Sequence, residues 1–267
     1  MIEMETIKWP AAALLKGKTA LVTAGAGGIG REIAEYLAAQ ECRVAVCDID
    51  PNAIADFRKH HPAGLAMQAD VADEAQVDAL FEAIARTFGG LDILVNNAGI
   101  AGPTGRVEDM DPAEWRRCIE VDLIGQFLCA RRAMPMIRRA GGGSIVNISS
   151  VAGRFGYAFR TPYSSAKYGI IGLTESLAKE AGPDGIRVNA VLPGIVDGPR
   201  MQGVIRARAA QVGVSEAEME RQYLEKVSMR KMVTHADIAS MVCFLVSPLG
   251  RMVSGQSIGV CGNVETL

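Results

Sequence analysis

No apolar stretch in these 267 residues reaches the eighteen or so that a membrane-spanning helix needs, so the expectation is a soluble protein without a membrane partner. Nor is there charge of one sign to spare. Twenty-eight Lys and Arg face thirty Asp and Glu, a net charge of −2, and nothing in that balance recruits nucleic acid or an anionic surface. The six cysteines, Cys42, Cys47, Cys118, Cys129, Cys243 and Cys261, form no Cys-x-x-Cys pair and have no histidine interleaved at ligand spacing. That pattern argues against a metal site and a disulfide framework and suits a reducing cytoplasm. Met1 to Lys18 carries Glu3 and Glu5 and lacks a long apolar core behind a basic leader, so it reads as neither signal peptide nor anchor. Linkers, internal repeats and low-complexity tracts are absent as well, which points to one domain.

What is present is alternation. Short β-rich apolar runs at Thr19 to Thr23, Arg43 to Cys47, Leu91 to Val95, Ser144 to Ile148 and Arg187 to Val191, with a weaker one at Leu65 to Gln68, predict buried strands. Helical patterns separate them at Ile29 to Ala39, Pro51 to His60, Asp73 to Phe88, Pro112 to Arg139 and Tyr163 to Ala181. Such an order implies right-handed βαβ units and an α/β fold, a doubly wound parallel sheet with helices on both faces. We expect an N-terminal extension over 1–17 and a single domain over 18–267. Within it, 198–229 reads as a helical insertion after a strand's carboxyl end, placed to cover a ligand.

The first predicted strand runs into Thr23-Ala24-Gly25-Ala26-Gly27-Gly28-Ile29-Gly30 and then a helix. Gly25, Gly27 and Gly30 satisfy G-x-G-x-x-G in the strand-to-helix setting that gives the pattern meaning. Bare backbone there lets amides approach a pyrophosphate at the positive end of the helix. Eighteen residues past Gly30, Asp48 ends the second strand. A carboxylate at that place accepts hydrogen bonds from ribose hydroxyls and repels a 2′-phosphate, which favours NAD over NADP. Asp48 could instead cap the helix beginning at Pro51. Asp70 and Val71 follow the third strand at the height of an adenine rim, and Asn96-Asn97-Ala98-Gly99 keeps small residues and amide groups near the cofactor.

Tyr163-Ser164-Ser165-Ala166-Lys167 sets a phenol and an ammonium one helical turn apart, with Ser150 thirteen residues before the phenol. Alone, Tyr-x-x-x-Lys is a common coincidence. Together with the glycine turn, Asn96-Asn97-Ala98-Gly99, Ser150 and Pro193-Gly194, all in one order from Lys18 to about Gly262, it resembles the short-chain dehydrogenase/reductase family. The resemblance implies a Rossmann sheet of about seven strands, a bound nicotinamide dinucleotide, and assembly into a homotetramer or homodimer through the long helices after strands four and five. It also implies roles. Tyr163 would exchange a proton with the substrate oxygen. Lys167 would hold the nicotinamide ribose and lower the tyrosine's pKa through its charge. Ser150, rather than its neighbour Ser149, would donate to the carbonyl or alkoxide oxygen. The dinucleotide would rest on Thr23, Gly25, Gly27, Gly28, Ile29, Gly30, Asp48, Asp70, Val71, Asn97, Ala98, Gly99, Tyr163, Lys167, Pro193, Gly194 and Ile195.

Four positions depart from the family pattern. Ala24 stands where the first glycine of Thr-Gly-x-x-x-Gly-x-Gly is usual, with Gly25 and Gly27 expected to compensate. Asp122 takes the catalytic position normally held by Asn. Gly198 replaces a Thr that contacts the nicotinamide carboxamide, and Val260-Cys261-Gly262-Asn263 replaces Val-Asp-Gly-Gly. The two stretches that line the substrate pocket in the family carry Arg154 and Arg160 in one and Arg200, Arg206 and Arg208 in the other, suited to an anionic substrate unless local acids such as Glu216, Glu218 and Glu220 pair with them. The activity expected is NAD-dependent oxidation of a secondary alcohol on a small polar, sugar-like or anionic molecule. The alternatives are reduction of a 3-oxoacyl thioester and, in another class, a dinucleotide sensor or scaffold without turnover.

Overall fold

The computed structural model describes residues 13–264, apart from the side chains of Arg200, Ala207 and Gln211. Seven strands, β1 (Thr19–Thr23), β2 (Arg43–Asp48), β3 (Leu65–Gln68), β4 (Ile93–Asn96), β5 (Gly143–Ile148), β6 (Ile186–Pro193) and β7 (Ser257–Val260), form one parallel sheet in the order β3-β2-β1-β4-β5-β6-β7. Central strands covered on both faces must be apolar along their whole length. All five residues of β1 are buried, and Val22 lies in register with Val46 on one side and Val95 on the other. The order reverses between β1 and β4, and the crevice at their carboxyl ends is where open sheets of this kind take ligands.

Helices α1 (Gly28–Ala39), α2 (Pro51–His60), α3 (Glu74–Phe88), α4 (Pro112–Ile119), α5 (Gly125–Arg139), α6 (Thr161–Ala181), α7 (Pro199–Val212), α8 (Glu216–Glu225) and α9 (His235–Val246) cover the sheet and its carboxyl edge. Several starts are local chemistry. Asp50, Asp73 and Asp111 each accept from a backbone N–H of the first turn of α2, α3 and α4, and Pro51 and Pro112 sit where a missing N–H costs nothing. Two apolar clusters fill the layers on either face, one around Ile33, Leu37, Phe57 and Val242, the other around Leu80, Ile84, Leu128 and Ile137.

Two sequence expectations change in detail. The fourth strand starts at Ile93, not Leu91. The helix expected over 112–139 is broken: Glu120–Ile124 forms a π-helical turn between α4 and α5. The wider turn rotates Val121 and Asp122 inward, and a side chain on Gly125 would meet Val71 Cγ2 at 2.7 Å, so the break needs a glycine beside it. The insertion over 198–229 holds α7 and α8, joined at Gly213 in a left-handed conformation and packed on each other through Ile205, Ala209 and Met219. Among the described residues no helix is long and apolar enough to cross a membrane, and no cluster of three or more His, Cys, Asp or Glu could hold a metal ion.

Candidate active site

A cavity of about 500 Å³ opens at the carboxyl edge of the sheet. At one end lies the glycine turn after β1. Side chains on Gly25 and Gly30 would collide with Val22 O at 2.6 Å and Ala24 O at 2.1 Å, whereas positions 27 and 28 face open space. Packing thus demands two of the glycines, and the other two leave backbone bare on the cavity side. Gly25 does not compensate for Ala24, because it is committed to contact with Val22 and Val46. Ala24 itself adopts the left-handed conformation, φ 47°, and bears the steric cost of about 1 kcal/mol that glycine would avoid.

Thr23 is a strut beneath this turn. Its Oγ1 accepts from the N–H of Asn97 at 2.9 Å and of Ala98 at 3.0 Å, while Asn97 Nδ2 donates back to the carbonyls of Thr23 and Ala24. The Asp48 carboxylate lines the cavity, accepting from Ala26 N at 3.4 Å and Asp50 N at 3.2 Å. Asp50, not Asp48, caps α2, accepting from Asn52 N at 2.8 Å, so the capping alternative for Asp48 falls away. Asp70 and Val71 are outside the lining. Asp70 pairs with Arg117, and Val71 packs against Gly125. An exposed turn, space where side chains are missing, and a weakly engaged carboxylate at the end of β2 fit a dinucleotide.

The chemical groups gather at the other end. Lys167, one turn along α6 from Tyr163, is 4% exposed; its Nζ stands 5.4 Å from the Tyr163 ring centre and donates to Ile148 O at 3.3 Å. Behind it, Asp122 is fully buried. Its Oδ1 accepts from Ile100 N at 2.7 Å and its Oδ2 lies 3.3 Å from Lys167 Nζ, where a side chain on Gly99 would crowd both groups. Ser149 and Ser150 both line the cavity, but Ser149 commits its proton to Lys167 O at 2.8 Å. Ser150 Oγ accepts from Ala152 N at 3.2 Å and keeps its own proton to donate. Among the described residues the Tyr163 hydroxyl has no hydrogen-bond partner, as a group awaiting a ligand oxygen would.

Pro193 at the end of β6 and the Gly194 and Ile195 that follow it also line the cavity, with Gly198 further on. Without a side chain at 198, the His235 imidazole from the start of α9 borders the cavity; a Cβ there would stand 3.4 Å from its Nε2. The arginines separate. Arg160 lines the cavity, with its guanidinium over the rings of Tyr163 and Tyr157 at 5.1 and 5.3 Å and Nη2 donating to Ala101 O at 2.8 Å. Arg154 turns away and donates to Ser257 O at 2.9 Å, Arg206 pairs with Glu216 at 3.4 Å, and the Arg200 side chain lies outside the described residues. Tyr157, Tyr223, Lys226 and His235 also line the cavity. Sequence reasoning did not single them out, and no spacing signal marks them, because three of the four reach the site from elements far along the chain.

A profile of the family described as enoyl-(acyl carrier protein) reductase matches residues 23–262. The chain is 37% identical to cis-4-hydroxycyclohexanecarboxylate dehydrogenase of Sinomonas cyclohexanicum over 92% of its own length and 95% of that protein's. It is 34% identical to a 3-oxoacyl-acyl-carrier-protein reductase of Staphylococcus aureus, covering 92% of this chain and 98% of the other. The chain belongs to the short-chain dehydrogenase/reductase family. As a dehydrogenase/reductase of that family it shares its fold with NAD+-bound xylitol dehydrogenase, at a TM-score of 0.87 and 28% identity over 93% of this chain and 99% of the other. This short-chain dehydrogenase/reductase has free cysteines throughout the described residues. Burial pushes the thiols of Cys42, Cys47 and Cys243 up to about 12, which leaves them protonated and inert.

Proposed function

We propose that this enzyme is an NAD-dependent dehydrogenase that oxidises a secondary alcohol on a small cyclic or polyol-like molecule in the cytoplasm. The observation that carries the reading is one cavity lined at one end by Asp48 and the bare glycine turn and at the other by Ser150, Tyr163 and Lys167. When bound, the nicotinamide dinucleotide supplies the hydride acceptor. The chain's own groups handle the proton. Tyr163 Oη takes it from the alcohol, Ser150 Oγ donates to the substrate oxygen as charge builds there, and Lys167 keeps a positive charge beside the phenol. Asp48 selects the cofactor by accepting from ribose hydroxyls and repelling a 2′-phosphate. The activities named for the dehydrogenase relative and for the xylitol dehydrogenase neighbour support this substrate class.

The test joins two variants. Tyr163→Phe should lose at least about a thousandfold in alcohol oxidation while still binding NADH by fluorescence, in line with removal of an acid/base group. Asp48→Ala should narrow the preference for NAD over NADP. Retained turnover in the first, or a native preference for NADPH, would overturn the reading. The second outcome would favour 3-oxoacyl-thioester reduction instead, the activity named for the Staphylococcus aureus relative. We further propose a homotetramer. Ile124, Phe127 and Tyr168 are each more than two-fifths exposed on or beside α5 and α6, helices that pack together, which supports assembly through this face.

A further inference from the structure

Beyond the proton-transfer groups, the cavity is lined by the segment before α6 and by α7 and α8, and those surfaces hold cations that the protein leaves unmatched. Lys167 has Asp122, Arg206 has Glu216, and Arg221 has Glu218 and Glu225. Arg160 and Lys226 have no carboxylate within ion-pair distance among the described residues. The two acids lining the cavity stand elsewhere, Asp48 at the glycine turn and Asp197 next to Gly198. An unmatched, half-buried cation in a ligand cavity is costly in the empty protein and is relieved by a ligand that brings the opposite charge.

Arg160 is held in place, and Lys226 stands beside an aromatic ring. The Arg160 guanidinium lies over two aromatic rings and is pinned to Ala101 O, and Lys226 Nζ lies 5.8 Å from the centre of the Tyr223 ring. A fixed guanidinium presents its remaining N–H groups as a planar fork without further loss of rotamer freedom, the arrangement that suits a carboxylate. Tyr223 and Arg160 share one neighbourhood: burial raises the Tyr223 phenol, the Tyr157 phenol adds to that, and the Arg208 and Arg160 guanidiniums oppose it. Met201 and Val204 of α7, which also line the cavity, are apolar and match a hydrocarbon body.

We propose that Arg160 and Lys226 bind a carboxylate of the substrate, so that the alcohol oxidised at Tyr163 belongs to a hydroxy acid whose two functional groups are separated by a hydrocarbon ring or chain. This rests on the dehydrogenase reading above and names its substrate class. The test uses the full-length enzyme. Initial rates with NAD are compared for 4-hydroxycyclohexanecarboxylate and its methyl ester, and calorimetry on the NADH-loaded enzyme compares cyclohexanecarboxylate with cyclohexanecarboxamide.

The native enzyme should prefer each anion over its neutral analogue by about tenfold or more. Lys226→Met should remove most of that preference in both measurements, with the neutral compounds changed by less than about threefold, and Arg160→Met should weaken calorimetric binding of cyclohexanecarboxylate far more than that of cyclohexanecarboxamide. Lys226 is the cleaner arm, since Arg160 also lies over the catalytic phenol. Equal losses for acid and ester, or a native enzyme indifferent to the charge, would overturn the inference and leave the dehydrogenase reading standing. Anion-selective binding that depends on both residues, without turnover of any alcohol, would uphold the carboxylate site and overturn the dehydrogenase reading.

Discussion

Asp122 is the residue at which this chain departs most from its family in chemistry rather than in shape. An Asn in its place would keep the 2.7 Å bond from Ile100 N; what the carboxylate adds is a negative charge 3.3 Å from Lys167 Nζ in a site closed to water. That charge offsets part of the ammonium's field at the Tyr163 ring, 5.4 Å away. The sign of the effect is fixed. A negative charge disfavours the phenolate, so removing it makes the working base available at lower pH. Asp122→Asn should therefore move the rising limb of kcat/KM for alcohol oxidation to lower pH. Full pH–rate profiles of both proteins check this; an unchanged limb would mean that the phenol does not sense the carboxylate. Arg160, its guanidinium 5.1 Å from the centre of the same ring, is a second cation near the phenol.

Elements were legible where the signal is local. The runs that became β1, β2 and β3 are apolar or β-rich over their own length, and the starts of α2, α3 and α4 are written in Asp50, Asp73 and Asp111. The π turn at Glu120–Ile124 was hidden, because one extra residue in a turn does not interrupt a helical pattern; in the fold it lies beside Gly125, where Val71 leaves no room for a side chain. The same limit applies to the site. Ser150, Tyr163, Lys167 and Asp48 are singled out by spacing and all line the one cavity, whereas Arg154 and Arg160, six residues apart in one loop, could not be told apart until the fold turned one toward β7 and the other into the cavity. Helix α9 illustrates what a local signal contributes. Thr234 and Asp237 cap it reciprocally, the hydroxyl accepting from Asp237 N at 3.1 Å and the carboxylate accepting from Thr234 N at 2.8 Å, and its buried Ile238, Val242 and Leu245 close one face of the sheet. Thr234→Ala should cost about 1 kcal/mol and lower the melting temperature by about 2–4 °C, with the NADH affinity little changed. A calorimetric scan that matches the native one would show that α9 is held by packing alone.

At the scale of the whole molecule the surface is nearly neutral in net charge and laced with exposed ion pairs, so no long-range field decides what this enzyme binds. The self-association proposed above would therefore rest on apolar surface. Single exposed hydrophobic residues are ordinary, but Ile124 at 42%, Phe127 at 48% and Tyr168 at 46% stand on or beside two helices in contact. Placing that face against a second copy would bury what is still exposed of each side chain, worth on the order of 1 kcal/mol apiece. It would also hold fixed the outer side of α6, whose inner side carries Lys167 into the site. Phe127→Glu puts a charge into the middle of that contact, where it would have to be desolvated without a partner. Light scattering at micromolar concentration should give a tetramer for the native enzyme and a smaller species for the variant. Since binding only the folded state stabilises it by mass action, the native melting temperature should also rise with protein concentration. A native enzyme that elutes as a monomer and melts at a concentration-independent temperature would make the patch an ordinary exposed surface and α6 a helix that needs no partner to hold its lysine.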